Sequence, residues 1–424
     1  MAHETNFFAL VYSDPALVRA APHRYIHMPN DSFARPAALG ILDRIASPSP
    51  QERSAMSKLR AVHSAPRSAP TELWYTRCPV PTTSGIAQHF GWLHAAFARE
   101  GIALASIRAS SDATVRQSHF DHTHPNMFRE GGNAPPIWAR ANGQDTAVVA
   151  ITWVDEEQVI LVRPDSDIHT LADLKGRRLG LPKQLTTEHV DVGRAQDLRG
   201  LLTALSLAGL RRDDVRFVDV DTDVSGGLRE QVEHTALRRH ATSDALLGGR
   251  VDAIYAKGAV SATLIASHGL RAIVDFNGYD DPLVRINAGT PRPVTVDRAL
   301  AVNHPEIVAR YLAVLLRTAE WAKDHPDEVV RAVAAETASG EDAVRRGYGP
   351  ELHRHFEPKL SAEYIHALEL QKNFFLDEGF LAGDIDFKTW ILPGPLALAR
   401  KLAPTIALAD LAGLSPANVT AAAA

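Results

Sequence analysis

The only cysteine of the chain, Cys78, stands in the run YTRCPVP, directly after the aromatic stretch ELWYT, which reads as a short strand. Strand ends in an α/β sheet face the ligand crevice, and Pro79 and Pro81 stiffen the turn that presents the thiol. Such a thiol is either an inert buried hydrophobe or a nucleophile, and the second needs a base or cation beside it. Candidates lie in the segment RQSHFDHTHPNMFREGGNAPP, which holds His119, Asp121, His122, His124 and Arg129. Its glycines, prolines and polar residues predict a loop rather than a core element.

Two sites can be built from these residues. The three histidines with Asp121 have ligand types suited to zinc or iron, although their spacing matches no established motif. Alternatively, one histidine orients Cys78 while Arg129 offers its planar fork to an oxyanion. Gly131 and Gly132 then let the backbone approach the same anion and donate amides, and Trp138, after the proline-rich turn, lines the pocket. The second arrangement fits a thiol acting on an oxyanion substrate and calls for no metal and no cofactor. GGNAPP lacks the Lys and Ser/Thr of a phosphate loop, and no G-x-S-x-G lies near these residues.

The elements that must position this chemistry alternate. ELWYT is a strand, CPVPTTSG a turn, and IAQHFGWLHAAFARE a helix with Ile86, Phe90, Leu93 and Phe97 on one face. GIALASIRA returns as a strand, giving the unit of a parallel α/β sheet. TAVVAITWV and EEQVILVRP add two strands. A short helix at Leu171–Leu174, the strand RRLGL, a helix from Asp197 to Leu207, the strand VRFVDV, a helical stretch through Leu247 and the strand VDAIYA follow. Asn303 and Glu306 read as a capping pair before IVARYLAVLLRTAEWA, whose Ile307, Tyr311, Val314 and Leu315 form an apolar face. Further helices are predicted at EVVRAVAAE and SAEYIHALELQKNFFLDEGFL, before a low-complexity tail.

Composition sets the outer bounds. The 424 residues, 45% apolar and 22% charged, suffice for two cores. With 45 basic against 50 acidic residues, the net charge of −5 provides no field for a nucleic acid or an anionic membrane. A single cysteine excludes an internal disulfide. No secretion-type leader and no long apolar run is legible, so the expectation is a cytoplasmic protein without membrane segments, a monomer or weak oligomer. Residues 1–70 read as an extension and linker, with Met56 as an alternative start. Residues 71–164 plus 265–395 read as lobe one, 165–264 as lobe two and 396–424 as a tail.

With these residues assembled, the chain from about Glu72 to Trp390 resembles the solute-binding proteins of nitrate, sulfonate and taurine import, notably in LADLKGRRLGLPK and GGRVDAIYA. The resemblance implies a bilobed α/β fold, periplasmic-binding-protein-like (type II), with a central cleft. Within that superfamily it is more specifically similar to the aromatic sulfinate desulfinases. Their catalytic cysteine precedes Pro-Val-Pro, as Cys78 does. Their catalytic histidine precedes a phenylalanine, as His119 precedes Phe120. Their essential arginine follows ten residues later, before two glycines, matching Arg129, Gly131 and Gly132, with Glu130 in place of an apolar neighbour and Pro135–Pro136 beyond. A pocket tryptophan of the family falls near Gln196. The resemblance implies hydrolytic carbon–sulfur cleavage of an organosulfur anion, with the thiol either attacking sulfur or supplying the proton. The alternative on the same fold is a protein that binds a sulfonate or sulfinate without converting it.

Overall fold

The computed structural model describes residues 69–184, 189–222 and 241–411. Expectations for residues 1–68, including the alternative start, and for residues 412–424 lie outside them.

The described residues form a two-lobed α/β fold with open sheets. The first lobe is built on a five-stranded sheet of order β2-β1-β3-β10-β4. Its strands are β1 (Glu72–Arg77), β2 (Ala103–Ser106), β3 (Met127–Glu130), β4 (Thr146–Thr152) and β10 (Arg292–Asp297). β1 runs parallel to β2 and β3, whereas β10 inserts antiparallel between β3 and β4. β4 is buried along its whole length, as a strand covered on both faces must be. The single helix predicted after the thiol turn is two, α1 (Thr83–His89) and α2 (Trp92–Ala98). Gly91, at φ 75°, takes the left-handed conformation that only a residue without Cβ adopts cheaply, and the chain turns there.

The segment expected to be a loop is the largest departure. It contains the end of α3 (Ala113–Asp121), all of β3 and the start of α4 (Ala134–Ala141). β3 lies inside the sheet, and its four residues are all buried. Arg129 and Glu130 made it look like surface because charged residues are seldom buried without a functional or paired role.

The second lobe carries β5 (Gln158–Val162), β6 (Arg178–Gln184), β7 (Arg216–Thr222), β8 (Ile254–Lys257) and β9 (Arg271–Asp275). They form a sheet β8-β5-β9 and a parallel pair β6-β7, linked by a bridge between Leu179 and Ala253. This lobe's sheet therefore begins before residue 165 and ends after residue 264. α5 (Val192–Leu207) starts five residues before the expected position, because the Asp191 carboxylate accepts from the Arg194 amide and caps it there. α6 (Gly258–His268) follows β8.

The chain returns to lobe one through β10 and α7 (Arg298–Asn303) to α8 (Pro305–Ala322), where Ile307, Tyr311, Val314 and Leu315 are buried as the periodicity predicts. Tyr311 stacks on Phe128 of β3 at 4.0 Å between ring centroids, fixing the site-bearing strand from behind. The expected Asn303 and Glu306 cap is absent: Asn303 ends α7 and His304 is the N-cap, without a side-chain bond. Pro305 at the first helical position presets the start and has no amide to cap. α9 (Pro326–Thr337) follows. Residues 394–402, partly assigned to the tail, form a helix whose Leu396 and Ala399 join the lobe-one core. Among the described residues no helix is long and apolar enough to cross a membrane.

Candidate active site

Strand parity places the site. Across the β1–β3 ladder Thr76 is opposite Arg129, and Arg77 is opposite Glu130. Side chains alternate between faces along a strand, so Thr76, Arg129 and, just beyond β1, Cys78 share one face. The Cys78 amide still donates to the Glu130 carbonyl at 3.2 Å, which carries the register one step past the strands. α3, started by the Asp112 carboxylate on the Thr114 amide, brings His119 over the same face in its last turn.

Arg129 is fully buried. Its Nη2 donates to Cys78 Sγ at 3.0 Å, Nη1 to the Gly132 carbonyl at 2.8 Å, and Nε to the His119 carbonyl at 3.3 Å. Burial pulls its pKa down, opposed by the charge of Cys78. Among the described residues no carboxylate pairs with it, and Cys78 Sγ is the side-chain atom to which it donates. His119 Nε2 lies 3.8 Å from the same sulfur, and Nδ1 lies 2.7 Å from Thr76 Oγ1, a bond that fixes the ring's orientation. Burial first, then the Arg129, Arg108 and His122 charges, holds His119 well below its ordinary pKa, so the ring is neutral.

Gly131 has φ 151°, and a Cβ there would sit 2.7 Å from Cys78 Sγ and 2.9 Å from the Cys78 nitrogen. A Cβ on Gly132 would meet the Ala288 carbonyl at 2.7 Å. The two glycines thus let the backbone close on the sulfur. Glu130 faces the other way. Its carboxylate accepts from the Thr83 and Ser84 amides at 3.1 and 2.7 Å and from Thr152 Oγ1 at 3.1 Å, anchoring the start of α1 behind the site.

Phe120 and Trp138 converge on a residue the sequence reading did not single out, His189 of the second lobe. The Phe120 and His189 rings stack at 5.3 Å, and Trp138 meets His189 edge-on at 5.2 Å. Gln196, where the resemblance located a pocket position, turns its amide to Asp197 instead. Thr76 was also missed, although its position two residues before Cys78, on a strand, signals a shared face. Nothing local marks His189, because lobe-to-lobe contact is non-local.

The four metal-ligand candidates separate. His122 Nδ1 lies 3.2 Å from the Phe120 carbonyl, and its Nε2 lies 3.4 Å from Thr295 Oγ1. His124 turns to the Pro125 carbonyl and Trp74, and Asp121 caps Thr123. Among the described residues no group of three His, Cys, Asp or Glu could hold a metal.

Burial of these histidines has a measurable consequence. His122 is pushed down to about 3, by burial and then Arg129, and His119 is lowered in the same sense. Above about pH 6.5 neither the folded nor the unfolded chain protonates them. Below it the unfolded chain takes up protons that the folded one refuses, so stability falls with pH until the folded-state pKa is reached. Asp297, raised to about 6 by burial, acts oppositely, because the folded state protonates first. The histidines outweigh it. A net loss of about 2–3 kcal/mol between pH 6.5 and 5 is expected. Urea midpoints at these two pH values measure it, and His122→Asn should remove well over half of the slope, because Asp297 then offsets most of what His119 contributes.

The fold and the site together define a two-lobed α/β protein of periplasmic-binding-protein-like (type II) architecture that carries a thiol, an imidazole and a guanidinium at one strand end. The chain is, at moderate identity, a homologue of 2'-hydroxybiphenyl-2-sulfinate desulfinase. It is 28% identical over 353 residues to the proteins of that name from Rhodococcus erythropolis and Rhodococcus qingshengii, covering 76% of this chain and 91% of theirs. A solved cysteine-to-serine mutant of DSZB in complex with biphenyl-2-sulfinic acid superposes with TM-score 0.59 at 27% identity, covering 78% of this chain and 99% of that one. The periplasmic aliphatic sulphonate binding protein SsuA from Escherichia coli shares the fold, with TM-score 0.57 at 17% identity over 76% of this chain and 92% of its own. No family model matches the chain.

The comparisons correct the cytoplasmic expectation. Solved proteins of this fold include periplasmic sulphonate-binding and nitrate-binding proteins, so the fold gives the cytoplasmic expectation no support. The expectation had rested on the pattern of the first residues, which lie outside the described part of the chain.

Proposed function

We propose that the protein is a cofactor-independent desulfinase that hydrolyses the carbon–sulfur bond of an aromatic or related organic sulfinate. Relatedness to the desulfinases supports a general role in handling organosulfur anions and is consistent with hydrolase activity. The observation that carries the finer reading is the buried, carboxylate-free Arg129 donating to the only thiol, with neutral His119 on the same sulfur. A guanidinium aimed at sulfur stabilises negative charge there and beside it.

In this reading Arg129 and the glycine amides hold the sulfinate oxygens, while Phe120, Trp138 and His189 flank the organic group. Cys78 Sγ attacks the sulfinate sulfur. The new S–S bond forms as the C–S bond breaks, its electron pair goes to carbon, and the thiol proton reaches that carbon by way of His119. Burial makes His119 a poor holder of that extra proton and therefore a ready donor. Water then cleaves Cys–S–SO₂⁻, restoring the thiol and releasing HSO₃⁻. The net reaction is R–SO₂⁻ + H₂O → R–H + HSO₃⁻.

The test is sulfite release from 2'-hydroxybiphenyl-2-sulfinate and a panel of aryl and alkyl sulfinates, beside a Cys78→Ser control. Sulfite from the unaltered chain and none from the variant is the expected result. Binding without release from any substrate would move the assignment to a solute-binding protein. Thr76→Val, which leaves His119 Nδ1 without its partner, should lower turnover about 10- to 100-fold with little change in substrate affinity. Equal turnover in that variant would remove the positioning role from Thr76.

A further inference from the structure

The residue before α4, Asn133, has a side chain that does not do what its position invites. Asparagine is favoured there because its carbonyl oxygen accepts from the amide of the second or third helical residue. In α4 those residues are Pro135 and Pro136, which have no amide. Asn133 accordingly makes no capping bond, and its buried Oδ1 has no hydrogen-bond partner. An unpaired buried oxygen carries a desolvation cost that a smaller apolar residue avoids, so what the side chain contributes lies at its other end. Nδ2 donates to the Asn287 and Pro291 carbonyls at 2.8 and 3.0 Å, and the Asn133 backbone amide donates to the Ala288 carbonyl at 2.9 Å.

These acceptors all belong to the second passage between the lobes, the segment that leads from β9 to β10. That segment is itself tied to both lobes. Asn287 and Thr290 exchange backbone bonds at 2.8 and 3.2 Å. The side chains of both reach Glu156 Oε1, in the first passage between β4 and β5, at 3.3 Å each. Lys257 Nζ, from β8 of the second lobe, meets the same oxygen at 2.7 Å. Gly132 rests on this segment too, close against the Ala288 carbonyl, while its own carbonyl accepts from Arg129 Nη1. Gly132 thus touches the guanidinium through its carbonyl and the inter-lobe turn through its Cα, and Asn133, the next residue, fastens it to that turn.

We propose that Asn133 is a positioning residue for the anion: it holds the Gly131 and Gly132 amides in place for the two oxygens on sulfur. It thereby sets affinity for the sulfinate group rather than for the rings attached to it. The inference rests on the reading of the thiol site as a sulfinate site, in which those amides hold the oxygens. Two successive glycines have no side chains to fix their own backbone, so preorganising their amides takes an anchor from outside the pair.

Calorimetric titration of full chains carrying Cys78→Ser, so that bound sulfinate is not consumed, tests the role. The ligands are 2'-hydroxybiphenyl-2-sulfinate and 2-hydroxybiphenyl, which has the same rings without the anion. Asn133→Leu keeps a branched side chain and removes the donors, and Asn133→Ser is small and acceptable before a helix. Each should weaken sulfinate binding about tenfold or more at an unchanged number of sites, and change 2-hydroxybiphenyl binding by less than about twofold. A merely structural role would instead lower the number of sites for both ligands and leave each affinity alone. That outcome overturns the proposal, as do unchanged sulfinate affinity, equal weakening of both ligands, no sulfinate binding by the Cys78→Ser parent, and failure of both variants to fold. Sulfite release by the chain with Cys78 intact is scored separately. Its absence, beside a selective loss of sulfinate affinity, sinks the desulfinase reading and leaves the role of Asn133 standing.

Discussion

Arg129→Met should lower sulfinate turnover by about 10³-fold or more while the protein stays folded. The guanidinium serves three acceptors at once, namely the Cys78 sulfur and the carbonyls of His119 and Gly132. Methionine fills much of the volume and donates to none of them. The two carbonyls lose their donors, at about 1–2 kcal/mol each. Against this, a fully buried cation without a carboxylate carries a desolvation cost that an apolar side chain does not. The opposed terms are of similar size, so the urea midpoint should move little while sulfite release collapses. Arg129→Lys should fall between the two, since an ammonium keeps the charge without the planar fork. Undiminished sulfite release from Arg129→Met would remove the guanidinium from the mechanism.

Gly131→Ala should be nearly as damaging, by a different route. The added Cβ would stand 2.7 Å from the sulfur and 2.8 Å from the Cys78 Cβ. The Cys78 nitrogen at 2.9 Å cannot rotate away, because it is held to the Glu130 carbonyl. The φ of 151° adds backbone strain that alanine cannot relieve in place. Turnover should fall about 10²- to 10³-fold, with a stability loss of about 2–4 kcal/mol. Sulfite release and a urea titration read the two effects separately. A variant of full activity would mean that the sulfur does not work from this position.

The contrast between β3 and α8 shows what could be read from the residues and what could not. α8 was legible because its burial is apolar and periodic, so hydrophobic patterning marks it directly. β3 was hidden because its inner positions include an arginine and a glutamate, whose burial depends on partners far along the chain. Thr83, Ser84 and Thr152 satisfy Glu130, and Cys78 and Gly132 satisfy Arg129. The triad itself was named from local spacing and resemblance. The structure places Cys78, His119 and Arg129 within hydrogen-bond range or near it, through a ladder register that sequence does not display. His189 and the anchoring of Asn133 on the inter-lobe segment come from packing between distant elements, for which one sequence has no local mark.

The antiparallel insertion of β10 also orders events in the cell. β3 and β4 are made early, yet the strand that joins them, Arg292–Asp297, leaves the ribosome only after the whole second lobe has been synthesised. Until then the first sheet is a split template with two open edges, and the buried Val148 and Phe128 lack their neighbours Thr295 and Val296. Nascent chains that stop short of residue 292 therefore present an aggregation-prone gap. A circular permutant that moved this strand next to β3 in translation order would let the lobe close before its partner exists.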